Sequence, residues 1–131
     1  LKQMRSQGLD KIGEQIIFTA LVVSRIIYAS QAFNGYLCEY DIAKLQAILN
    51  KAYRYKIIAN KMDVKQMFES ADVKLFSAIT RVNGHCLQPL LLPKPVTSMQ
   101  LRPRGHNFHL PNVETELHKL SYLVRCLYKY V

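Results

Sequence analysis

All five prolines of this chain, Pro89, Pro93, Pro95, Pro103 and Pro111, fall within 23 consecutive residues, and none precedes them. Proline fixes its own φ, lacks an N–H and disfavours helix in the residue before it. Residues 88–113 are therefore expected to be extended or turn-like and to run across a surface. The 88 residues before Pro89 escape that restriction and show apolar side chains at helical spacing almost throughout.

From Ile12 to Phe33, the row Ile12, Ile16, Ala20, Val23 and Ile27 runs beside Ile17, Leu21 and Tyr28, so the helix is apolar over more than half its circumference. Such a helix is expected at the centre of a bundle, ended by Asn34-Gly35. Asp41 is placed to cap a second helix with Ile42, Leu45, Ile48, Leu49, Ala52 and Tyr53 on one stripe. Asp63 and Gln66 have capping-box spacing for a third, either one bent helix or two short ones over residues 63–83. Asp72 is placed to cap its second part and Asn83-Gly84 to stop it. After the prolines, Leu117, Leu120, Val124 and Leu127 share a face, with Thr115 or Ser121 as the cap. The expected fold is all-α: a bundle of four or five helices in residues 1–87, a basic proline-rich extended segment in 88–113, and a C-terminal helix in 114–131 packed on the bundle.

The apolar run Ile16 to Val23 follows Lys2, Arg5 and Lys11, the pattern of a secretory signal. Arg25 argues against that role, and the run falls short of the ~20 apolar residues that span a bilayer. A buried core helix is the expectation, with no membrane partner. Cys38, Cys86 and Cys126 are odd in number and far apart, so neither a disulfide framework nor a metal clip is indicated, and buried thiols in a reducing compartment are expected. A first residue of Leu rather than Met is what a piece of a longer protein would show.

Catalytic chemistry finds little support. The nine carboxylates include no Asp-Asp or Asp-x-Asp, and Asp41, Asp63 and Asp72 are explained as caps. Adjacent side chains such as His85 and Cys86 generally point apart, which leaves a thiol without its base. His106 and His109 match no zinc-ligand spacing, and no glycine-rich phosphate loop occurs. Neither metal nor cofactor is expected. What remains is charge: 18 Lys and Arg against nine acids, a net +9 that attracts polyanions. Residues 93–131 carry a net +4 in 39 residues, against +5 in the 92 before them.

Two clusters are candidates for contact with phosphates. In the segment Leu101 to Leu110, Arg102 and Arg104 are spaced to face one side of an extended chain, with His106 beside them and Phe108 available for stacking. The competing explanation is that these arginines cap helix ends within their own domain. Lys51, Arg54 and Lys56, interleaved with Tyr53 and Tyr55, form the second cluster, which a solvated helix face also explains.

Taken in order, several segments resemble one family, the C-terminal region of the reverse transcriptases of non-LTR (LINE-type, jockey-like) retrotransposons. The resemblance rests on Ser24-Arg25-Ile26-Ile27-Tyr28, Leu45-Gln46, Asn50-Lys51-Ala52-Tyr53-Arg54 and Ser70-Ala71-Asp72-Val73-Lys74-Leu75-Phe76. It continues through Leu91-Leu92-Pro93-Lys94, Leu101 to His106, Leu110-Pro111 and Arg125-Cys126-Leu127-Tyr128. It implies a helical thumb and C-terminal extension that hold RNA, DNA or their hybrid through the backbone, inside the cell in the nucleus or a cytoplasmic ribonucleoprotein. The parent would be an RNA-directed DNA polymerase, and the partners would include its palm and fingers. The palm's paired aspartates have no counterpart here, so a non-catalytic role is expected. The alternative is a helical protein-interaction module that docks a neighbour on the Ile16–Tyr28 surface.

Overall fold

Asp10, Asp63 and Thr115 each begin a helix by accepting from its free N–H groups. The computed structural model describes residues 2–93 and 105–130; they are predominantly helical, and their one β-bridge is the isolated pair Pro93–Phe108. Close contacts divide the chain into two units, Leu1–Ser30 with Leu37–Glu69, and Gln31–Tyr36 with Ser70–Val131. The division falls between Glu69 and Ser70, inside a helix, whereas the sequence places a boundary at residue 87.

In the first unit, α1 (Lys2–Ser6) precedes α2 (Lys11–Phe18), where the Asp10 carboxylate accepts from the Gly13 N–H at 2.9 Å. A π-helical turn, Thr19–Val23, leads into α3 (Ser24–Ile27). The wider turn shifts the helix face, so the buried side chains are Glu14 and Phe18 before it, Val23 at its end, and Ile26 and Ser30 after it. This corrects the expected central helix. Of the row Ile12, Ile16, Ala20, Val23 and Ile27 only Val23 is buried, and Ile12 and Ile16 are 70% and 62% exposed. A helix apolar on most sides does not specify its inner face, and here the inner face contains Glu14, whose buried carboxylate Arg5 neutralises at 2.5 Å.

The break also moves: Tyr28 and Ala29 interrupt the helix, Ala29 with φ +52°, before α4 (Ser30–Phe33) and a 3₁₀ turn over Asn34–Tyr36. By length and composition alone, the helical run Lys11–Tyr36, 26 residues, is long and apolar enough to cross a membrane, with 22% of its most apolar window buried. The uninterrupted apolar run still ends at Val23, and the longer span is reached only by taking in Arg25 and the break at Tyr28–Ala29.

α5 (Glu39–Arg54) starts two residues before Asp41, with Cys38 at its N-cap, so Asp41 lies in the first turn instead of capping it. Its Gln46 reaches across the following loop, donating to Met62 O at 2.9 Å while its Oε1 accepts from Val64 N–H at 2.9 Å. α6 (Val64–Arg81) begins as expected on Asp63, whose Oδ1 accepts from the N–H groups of Lys65 and Gln66 at 2.8 and 3.2 Å. It then runs unbroken for 18 residues. Gly84, at φ +83°, follows its end.

In the second unit, Asp72 is not a cap. It is buried and paired with Arg125 at 2.8 Å, with Asn34 Nδ2 donating to the same Oδ2 at 3.3 Å. The expected last helix is two: α7 (Glu116–Leu120), capped by Thr115 Oγ1, and α8 (Tyr122–Lys129), divided by the extended backbone of Ser121. Phe76, Ile79, Leu91, Cys126 and Leu127 form the core, with Phe108, Leu110 and Tyr122 packed against it. A Cβ on Gly35 would collide with Leu120 O and the Arg125 guanidinium, so glycine is required there by close approach. The described ends of the proline-rich segment are tied to this unit, with His109 N–H donating to Leu92 O at 2.7 Å and Tyr128 Oη donating to Pro111 O at 2.8 Å.

Candidate nucleic-acid interface

The basic cluster of the first unit lies where α5 ends. Two backbone bonds close that end: Lys56 N–H donates to Tyr53 O at 2.9 Å and Ile57 N–H to Ala52 O at 3.0 Å. This is the Schellman pattern, which needs a left-handed residue after the helix and usually takes glycine. Lys56 fills that position with φ +55°. A side chain there costs about 1 kcal/mol relative to glycine.

The turn sends the chain back beside the start of α2, and the two elements enclose a cleft of about 530 Å³ lined by Lys11, Gln15, Tyr53, Arg54, Lys56 and Ile57, among others. Lys11, Arg54 and Lys56 are all exposed, and among the described residues none of the three forms an ion pair. Among the described residues no carboxylate lines the cleft. The helix dipoles matter little: the C-terminus of α5 presents about half a negative charge and the N-terminus of α2 about half a positive one, against three whole cations. The cleft therefore combines three cations with an aromatic and aliphatic wall.

No family model, curated protein or solved structure matches the chain.

Of the six residues singled out by sequence, Arg54 and Lys56 come together in the cleft, and Lys51 is exposed one turn earlier on α5 without lining it. Arg102 and Arg104 lie outside the described residues. His106 is corrected: it is buried in the second unit, 8% exposed, with Nε2 2.7 Å from Leu127 O and Nδ1 accepting the Phe108 N–H at 3.2 Å. Its ring meets Phe76 edge-on, with centroids 5.9 Å apart. Both nitrogens are thus used inside the fold, by the tautomer protonated on Nε2, and a phosphate contact has no nitrogen left to use. The surrounding wide pocket, about 370 Å³, is lined by Phe76, Thr80, Arg81, Phe108 and Tyr130.

Lys11 is the functional candidate that sequence reasoning missed. It is 43 positions from Arg54, and nothing in its own neighbourhood distinguishes it from any first-turn lysine. Among the described residues no group of three His, Cys, Asp or Glu is arranged to hold a metal ion. Cys38 and Cys86 are exposed and only Cys126 is buried, which corrects the expectation that all three thiols are core. Each exposed thiol sits at a helix start or in a turn, where no apolar row carries it inward.

Proposed function

We propose that this chain is a non-catalytic nucleic-acid-binding module, the thumb and C-terminal part of a retroelement reverse transcriptase, which holds primer–template or template RNA mainly by its backbone. The observation that carries the proposal is the cleft in which Lys11, Arg54 and Lys56 converge, unpaired, around Tyr53. Three cations facing a common concavity repel one another; the phosphates of a polyanion relieve that repulsion, and the counterions they release make the binding salt-dependent.

The kinship part of the proposal rests on separate motifs of the resemblance meeting in space. Asp72 pairs with Arg125, Tyr122 Oη donates to Asp72 O at 3.0 Å, and His106 bonds Leu127, so the Asp72, His106 and Arg125-Cys126-Leu127 segments share one core. A parent polymerase would supply the palm, the fingers and the metal chemistry, and RNA, DNA or their hybrid would be the ligand.

Binding of the purified chain to an RNA–DNA hybrid, measured by fluorescence anisotropy across a salt series, tests the proposal. Contacts at three phosphates give a log–log slope of about −2 to −3, and replacing Arg54 and Lys56 together by Ala reduces its magnitude by roughly 1.5. Absence of binding to any nucleic acid at low salt refutes it.

A further inference from the structure

The cleft has a shape that a duplex backbone does not require. Phosphate rows on a duplex are met by exposed cations on an open face, whereas here the cations surround a concavity whose volume falls in the ~300–1,000 Å³ range of small-molecule pockets. Part of its wall is Tyr53, 46% exposed although it belongs to the apolar stripe of α5. Ile57, Ile58 and Ala59 continue the wall, so the lining is apolar on one part and cationic on another. A nucleotide has that same division: a flat apolar face on the base and charge on the phosphate. In a duplex the base faces are covered by their neighbours, and only edges reach a protein. An unpaired base offers its face, and stacking on an aromatic ring is how single strands are held without regard to sequence.

Resting on the nucleic-acid reading above, we propose that the cleft between the end of α5 and the start of α2 is a single-strand site. One unpaired nucleotide stacks its base on Tyr53 while Lys11, Arg54 and Lys56 hold the phosphates on either side. The left-handed backbone of Lys56 belongs to this design. A glycine would close the helix with less strain, but only a long cationic side chain at this turn brings a third charge to the cleft. Lys51, exposed one turn away from Arg54, is positioned for the next phosphate along the strand.

The test compares the full chain and its Tyr53→Ala, Tyr53→Phe and Lys56→Ala variants on three ligands: a short unstructured RNA, the DNA of the same sequence, and the hybrid of the two. Tyr53→Ala is expected to weaken binding of both single strands by roughly tenfold or more, the measure of one lost stack, while binding of the hybrid changes less than about twofold. Tyr53→Phe keeps the ring and binds as the parent does, and Lys56→Ala weakens both single strands. Thermal melting of each variant checks that the half-exposed Tyr53 is dispensable for folding. For Tyr53→Ala, equal losses on strand and hybrid, or no loss on the single strands, overturn the single-strand site while leaving nucleic-acid binding intact. Failure of the parent chain to bind any of the three ligands overturns the nucleic-acid reading itself.

Discussion

At the level of single residues, burial separates the candidates that the sequence could not. Arg54 and His106 are both polar residues in basic, aromatic surroundings, yet one is exposed beside a cleft and the other has both ring nitrogens bonded inside a core. Replacing His106 with Ala leaves Leu127 O without its donor and opens space beside Phe76, a loss of about 2–3 kcal/mol of stability in urea titration. The affinity of the folded fraction for nucleic acid is expected to stay unchanged; a selective loss of affinity would return His106 to the interface. Lys56 shows the reverse balance. Glycine at its left-handed position relieves about 1 kcal/mol of strain, so Lys56→Gly is expected to raise the melting temperature and weaken binding together. A variant that melts higher and binds as well as the parent would show that the strain serves nothing in the cleft.

At the level of elements, helix ends and helix faces were decided by different forces. Asp63 and Thr115 cap as their neighbours in sequence lead one to expect, because an N-cap bond spans two or three residues. Asp72 has the same local appearance and a different role, since Arg125 and Asn34 meet it from distant positions. One of its oxygens, Oδ1, is buried with no partner among the described residues, which makes the carboxylate depend on Arg125. Arg125→Met strips the charge pair from one side and is expected to cost about 3 kcal/mol, and Asp72→Asn about as much. The double variant should be less destabilised than the sum of the two. Additive losses in a double-mutant cycle by thermal denaturation would show that the pair contributes no coupling energy.

At the level of the whole molecule, folding sorts three chemically identical thiols into two classes. Cys38 and Cys86 are exposed, while burial pushes the Cys126 thiol up to about 11 from an ordinary value of 9.0. Burial, with the adjacent Cys126, also raises the Tyr122 hydroxyl. Well below pH 9 Cys126 is neutral whether the chain is folded or not, so stability is unaffected. Between about pH 9 and about 11 the unfolded chain releases a proton that the folded chain retains, so stability falls as pH rises, on the order of 2 kcal/mol in all. Urea unfolding at stepped alkaline pH measures the decline. A thiol reagent at neutral pH should modify two cysteines at once and the third only on unfolding; three equally fast reactions would contradict the burial of Cys126.

Much of this protein is written in its local sequence. Helical periodicity and the crowding of prolines into one segment determined an all-α fold, since both act through bonds a few residues long, whereas the breaks at Tyr28–Ala29 and Ser121 were not legible there. The cluster Lys51 to Lys56 was visible as charge interleaved with aromatics for the same reason. Which face of the Ile12–Phe33 helix turns inward was not determined, because a helix apolar on most sides offers several solutions. The π-turn and the Arg5–Glu14 pair select one of them. The cleft likewise exists only in three dimensions: Lys11 joins Arg54 and Lys56 because the chain doubles back after a left-handed lysine, a return that no spacing along the sequence encodes. Local pattern decides elements through short-range sterics and burial period, and tertiary structure decides sites by bringing together charges that sequence keeps 43 residues apart.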